Sequence, residues 1–207
     1  MELEKEWLKV LAKYSIIKEV FIICEETDPE LNTNLQPINE FRAALDHVMK
    51  LNGALYKDED EEECLNQFRK LHSHLDRAFF DICDMASINY RNMIIDLLEK
   101  YDADVIRGAI PEYYSQIRPD MDAITNKIIN YRNSKGMPGD EEDLFQRYKD
   151  DVFKLKEYFS SISSKLPVLE EIYTKEMRKQ KKANNPTYVG VVVAVIGIIV
   201  AIILRFI

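Results

Sequence analysis

The chain is poor in cysteine: Cys24, Cys64 and Cys83 are odd in number and fall into no CxxC or Cys/His spacing. That excludes a disulfide framework and a zinc ribbon, and it reads as three buried, reduced thiols. No stretch alternates apolar and polar residues for long enough to make a strand, so the fold class is all-α. A glycine-rich phosphate loop, a Ser/His/Asp order and a metal-ligand cluster are also missing. Triad hydrolases, phosphate-loop enzymes and metalloenzymes are therefore not expected, and neither is a cofactor or a metal. The opening residues MELEKEWLKV alternate in charge where a secretory signal would have a basic end and an apolar core. Acidic residues outnumber basic ones, 36 to 28. The net charge is −8, and setting aside the +4 of residues 175–182 and Arg205 leaves −13 on residues 1–174. Such a body opposes bulk nucleic-acid binding, which rests on cations neutralising phosphates.

One long uncharged run is present, Tyr188 to Leu204 (YVGVVVAVIGIIVAIIL), followed by Arg205, Phe206 and Ile207. As a helix it covers roughly 25 Å, which predicts a single C-terminal transmembrane helix over 188–207, a tail anchor inserted after synthesis. Lys175, Arg178, Lys179, Lys181 and Lys182 stand against the single Glu176 just before it. The positive-inside rule then places a helical bundle of residues 1–183 in the cytoplasm, joined by a juxtamembrane linker at 184–187. The expected location is single-pass in a membrane, the bacterial inner membrane by preference, or an organelle membrane in a eukaryotic host. The basic collar suits anionic lipid headgroups, making membrane lipid a partner. Gly190, Ala194, Gly197 and Ala201, spaced four, three and four apart, form a seam of small residues that predicts packing of this helix into a homo-oligomer.

Apolar residues recur at helical spacing through the rest of the chain. A first helix is expected from Leu3 to Glu26, burying Trp7, Leu11, Tyr14, Ile17 and Phe21 and stopping at Thr27-Asp28-Pro29. A second starts near Pro37 and turns Ile38, Phe41, Leu45, Val48 and Leu55 to one face. The six carboxylates from Asp58 to Glu63 read as a solvated helix start, since no glycine is placed to fold them round a cation. From there one helix is expected to reach Arg107, with Phe68, Leu71, Leu75, Phe79 and Ile82 buried. Pro111 and Pro119 bracket a short helical turn, and Asp120 to Ser134 is a further helix. KGMPG at 135–139 is a loop, Asp140 caps a helix to Ser163 with Leu144, Tyr148, Val152, Leu155 and Phe159 on one side, and Val168 to Ala183 is the last helix before the run. These interruptions exclude the unbroken heptad helix of tail-anchored fusion proteins.

Two hexapeptides carry the candidate chemistry: Arg42-Ala-Ala-Leu-Asp46-His47 and Arg69-Lys-Leu-His72-Ser-His74, both Arg-x4-His. The spacing resembles the Arg-x4-6-His motif of the HEPN superfamily, small all-helical domains common in bacterial defence and toxin systems. The resemblance implies a metal-independent endoribonuclease pairing two motifs, with histidine moving a proton at the ribose 2′-hydroxyl and arginine stabilising phosphate charge. Arg42, His47, Arg69 and His74 would then be the catalytic residues and RNA the partner. The chain departs from the family pattern straight after each arginine, where it has Ala43 and Lys70, in carrying the motifs early and in being so acidic. Taken as side chains alone, Asp46 stands one turn from Arg42, and His74, Arg77 and Asp81 line one stripe, a pattern that reads as a polar network between helices. At roughly 100° per residue His47 falls opposite the Leu45/Phe41 face, toward solvent or a partner. His72 falls at the core boundary as a satisfied packing residue.

These features lead to a tail-anchored interaction or effector module that oligomerises and engages a protein partner, with anti-phage defence as the setting implied by the resemblance. The alternatives are a membrane-tethered ribonuclease of the HEPN type and an oligomer that perturbs membranes.

Overall fold

A computed structural model describes residues 2–28, 35–56, 60–134, 141–183 and 186–205, and their side chains at all of these except 134, 141, 142 and 186–189. Pro29, Asp58, the loop at 135–139, the expected cap Asp140 and the Asn184-Asn185 part of the linker lie outside the described residues. The described chain is all-helical: α1 (Glu2–Thr27), α2 (Leu35–Tyr56), α3 (Glu61–Leu98), α4 (Ala103–Ala109), a π-helical turn (Tyr113–Ile117), α5 (Arg118–Ser134), α6 (Glu141–Ser164), α7 (Leu166–Ala183) and α8 (Pro186–Arg205). No strand occurs among the described residues.

Helix α3 is the axle on which α1, α2, α5 and α6 pack. Asp60 caps its start by accepting from the Glu62 amide, and Glu61 to Glu63 fill the first turn, where negative charge meets the positive end of the helix dipole. The expected stripe Phe68, Leu71, Leu75, Phe79 and Ile82 is buried. Phe79 stacks on Phe145 of α6 at 4.1 Å between ring centroids, joining the N-terminal three-helix layer to the C-terminal half. One contiguous apolar cluster runs from Val10 to Leu169, so the described helices before α8 share a single core.

The helix expected to reach Arg107 breaks after Leu98 instead. Asp102 accepts from the amides of Asp104 and Val105 and starts α4 as a separate helix. Between Pro111 and Pro119 the turn is π-helical, with the Arg118 amide bonding the Tyr113 carbonyl. Pro119 has no amide to donate, and it sits in the first turn of α5, where none is needed. Helix α7 docks chiefly on α4, where Tyr101 and Lys100 both bond Glu170 and Ile172 Cδ1 would lie 3.2 Å from a Cβ built on Gly108.

Two helices are rotated from their expected faces. On α1, Leu11 and Tyr14 are exposed while Val10, Ile17, Val20 and Ile23 are buried, with Trp7 half-buried edge-on against Phe68. On α2, Leu45 and Leu55 are exposed and the small residues Ala44 and Ala54 are buried with Leu51. Small side chains let α2 approach α3 closely, and that packing outweighs the burial of the larger leucines.

The expected C-terminal anchor is overturned. Residues Pro186–Arg205 do form α8, but among the described residues no helix is long and apolar enough to cross a membrane. The single-pass membrane location, and the cytoplasmic side derived from it, fall with the anchor.

Candidate functional site

The rotation of α2 brings His47 round to face α3. Its Nδ1–H donates to Gln67 Oε1 at 2.7 Å, and Gln67 Nε2 donates in turn to Glu63 Oε1 at 2.5 Å. The carboxylate takes the amide hydrogen, which leaves the amide oxygen as acceptor and puts the His47 proton on Nδ1. His74, on α3, lies directly beneath: the two imidazoles stack with centroids 5.3 Å apart and planes 22° from parallel. His74 Nδ1 is 2.7 Å from Glu40 Oε2 of α2, and the same oxygen accepts from Arg77 Nε at 3.0 Å. A carboxylate accepts only, so His74 also carries its proton on Nδ1. Both rings, when neutral, turn a bare Nε2 away from their anchoring partners.

Glu40 sits under opposed influences. Burial works to raise its carboxyl, and the hydrogen bond from His74 with the charge of Arg77 outweighs this and holds it below the usual range. Side chains of Glu40 and His74 are about four-fifths covered, whereas Arg77 is 44% exposed. The cluster is thus a half-buried acid–histidine pair with a guanidinium at its mouth.

Of the residues expected from sequence, the structure brings His47, His74 and Arg77 together. Arg42 and Arg69 are exposed and stand roughly 140° round their helices from His47 and His74, so neither guanidinium is a partner of the rings. Asp46 pairs with Lys50 at 2.5 Å, one turn on. Asp81 lies half-buried one turn beyond Arg77. Gly190, Ala194, Gly197 and Ala201 are all exposed on α8. Among the collar cations, Lys175 pairs with Glu171 at 2.6 Å and Lys179 with Glu176 at 3.5 Å, while Arg178, Lys181 and Lys182 are exposed. His72 is only half satisfied: Nε2 meets Glu6 of α1 at 3.0 Å, and buried Nδ1 has no partner.

Sequence reasoning missed Glu40 and Gln67. The signal was a polar stripe at 63, 67, 70, 74, 77 and 81 running beside the buried stripe of α3. It also missed two polar junctions in the C-terminal half. Asp84 accepts from Arg132 Nε at 2.8 Å and from Tyr148, whose hydroxyl is driven upward by burial and then by that bond. An open groove of about 580 Å³ between α5 and α6 is lined by Lys127, Tyr131, Arg147 and Asp151 among others. Asp151, buried at its floor, accepts from Lys127 and Tyr131, each at 2.9 Å, and burial with this bond pushes the Tyr131 hydroxyl up to about 12. Lys127 and Tyr131 engage Asp151, while Arg147 pairs with Asp143 and Asp150 accepts from Gln146, each one turn away on α6, which suits a structural junction. No group of three or more potential metal ligands gathers among the described residues.

No protein-family model matches the chain, and no curated protein or solved structure matches it.

Proposed function

We propose that this protein is a helical interaction module that assembles with copies of itself through α8. The observation that carries the reading is the exposure of that helix: its large apolar side chains from Val191 to Leu204 are between 43% and 69% exposed in the single chain. A helix that is apolar all round belongs in an interior, and a patch this size is covered in a working assembly. Among the described residues, helix α8 makes its main contact with α7 and none of comparable extent with the bundle, so those residues do not cover it. The occupant that fits best is a second α8, because Gly190 and Gly197 have nothing within 4 Å of a built Cβ and leave the backbone open to close approach. Chemical cross-linking of the full chain should give a ladder of oligomers that Gly197→Leu reduces. A chain that stays monomeric, or a ladder unchanged by Gly197→Leu and Ala194→Leu together, would reject the reading.

A second reading, RNA cleavage in the HEPN manner, is favoured by the histidine stack. Histidines from two helices meet with their Nδ1 protons pinned and Nε2 available to take a proton from a hydroxyl, the arrangement general-base chemistry needs. Cleavage of single-stranded RNA in chelator, lost in His47→Ala, would support it; cleavage at the wild-type rate by that variant would remove it.

A further inference from the structure

Helices α1 and α2 each lie along α3, and no contact of like extent joins them to one another. Trp7 meets Phe68 and Lys13 meets Asp76, so α1 runs parallel to α3, while His47 and Glu40 of α2 reach Gln67 and His74 in the reverse order. Between α1 and α2 lies an apolar channel. Half-buried Trp7, Phe21, Phe41 and Val48 form its floor, with Phe21 and Phe41 edge-on at 5.6 Å across the gap. Leu11, Tyr14, Leu45 and Met49 stand above it, between 50% and 61% exposed. Leu11 follows Trp7 by four residues, Tyr14 precedes Phe21 by seven and Leu45 follows Phe41 by four, so these side chains line the facing flanks of the two helices.

An apolar channel between helices accepts the apolar face of another helix. Helix α8 has such a face to spare even when paired with a second α8. If the small residues Gly190, Ala194, Gly197 and Ala201 meet their counterparts, then Val192, Val195, Ile196, Ile199 and Ile203 lie on the opposite side and stay uncovered. The lengths agree, since α8 has 20 residues, roughly 30 Å, and α2 has 22, roughly 33 Å. The α8 of the same chain touches chiefly α7, so a second copy is the source.

Charge fixes the direction. Because α1 and α3 run parallel, the exposed carboxylates Glu2, Glu4, Asp60, Glu61 and Glu62 gather at one end of the channel. Exposed Arg178, Lys181 and Lys182 come directly before α8. With the start of α8 at the acidic end these charges face one another, and Arg205 at its other end comes to exposed Glu25 and Glu26 in the last turn of α1.

We infer that α8 of one copy lies in the α1/α2 channel of another, its Val/Ile face on Leu11, Tyr14, Leu45 and Met49 and its start beside the carboxylates that open α1 and α3. This rests on the reading that the chain assembles through α8, and it supplies the second surface of that assembly.

The test is cross-linking between two co-expressed full-length chains with different tags, one carrying Met49→Cys and the other Ile199→Cys. The native thiols Cys24, Cys64 and Cys83 are buried, so a short bis-maleimide reaches the introduced pair. A mixed adduct bearing both tags is expected. Leu11→Gln with Leu45→Gln in the first chain should remove it, and thermal melting checks that these exposed substitutions leave the bundle folded. Glu61→Lys with Glu62→Lys in the first chain should lower it about fivefold, and Lys181→Glu with Lys182→Glu in the second should restore it. An adduct indifferent to both sets of changes, or one formed only within a single chain that carries both cysteines, would overturn the inference. An adduct between two Ala194→Cys chains without the mixed one would overturn it too, and would leave assembly through α8 standing. Absence of both adducts would reject both.

Discussion

His47 stacks on His74 across the α2/α3 interface, and each ring is oriented by a separate acceptor chain, Gln67–Glu63 for one and Glu40 for the other. The stack therefore depends on two hydrogen bonds made far from its exposed edge.

Gln67 is 7% exposed and accepts the hydrogen bond that orients the His47 ring. Gln67→Met keeps the volume and removes the acceptor, leaving His47 Nδ1–H facing an apolar side chain. The expected cost is about 1–3 kcal/mol in urea unfolding, and the slope of the transition should not change. A variant as stable as the wild type would show that water replaces the amide at no cost.

His72 makes stability depend on pH. Burial first, and then the charge of Lys13, lower its pKa below the ordinary 6.5 against the opposing pull of Glu6, and a proton on buried Nδ1 would find no acceptor. A histidine with a depressed folded-state value stays neutral in the fold while the unfolded chain takes up a proton. Its contribution is fully present above pH 6.5 and is lost as pH falls through the folded value. Denaturant midpoints measured from neutral to mildly acidic pH should fall for the wild type. His72→Gln should flatten that decline, and parallel curves would disprove the link.

Gly108 sets the approach of α7 to α4. A Cβ there would meet Ile172 Cδ1 at 3.2 Å, the end of a flexible side chain. Gly108→Ala gains roughly 1 kcal/mol of helix propensity and loses a similar amount to crowding, so its melting temperature should stay close to that of the wild type. Gly108→Leu cannot be accommodated and should cost about 1–3 kcal/mol, with earlier proteolysis in α7. Equal stability of all three would mean that α7 is not seated on α4.

Asp84 joins α3 to both α5 and α6 through Arg132 and Tyr148. Asp84→Ala strands a buried phenol, since Tyr148 is fully covered. A loss of about 2–4 kcal/mol is expected in chemical denaturation, larger than from Asp143→Ala, which removes only an exposed one-turn pair with Arg147. Equal effects from the two would show that the buried junction has no special weight.

The legible parts of the fold were those with strong local signals. The stripe on α3 repeats at helical spacing over many turns, so its phase admits one solution, and Phe68 to Ile82 lie where that phase puts them. On α2 the larger apolar residues Leu45, Met49 and Tyr56 outweigh Ala44 and Ala54 in any count of hydrophobicity, yet the alanines face the core. Close helix contact selects small side chains, and the partner that demands them is distant in sequence. The same error of phase hid the site, because it turned His47 outward. Arg77 was visible as part of a polar stripe, but its pairing with Glu40 spans two helices and has no local signature.

The sequence by itself determined that the chain is helical, where α3 starts, which face of α3 is buried, and that the C-terminal run is uniformly apolar; these follow from propensity, capping and periodicity within a few turns. Only the tertiary structure decided that His47, His74, Glu40 and Arg77 form one cluster while Arg42 and Arg69 stay outside it. Such placements depend on how closely two helices approach and how each is rotated, and the packing of the whole core sets both.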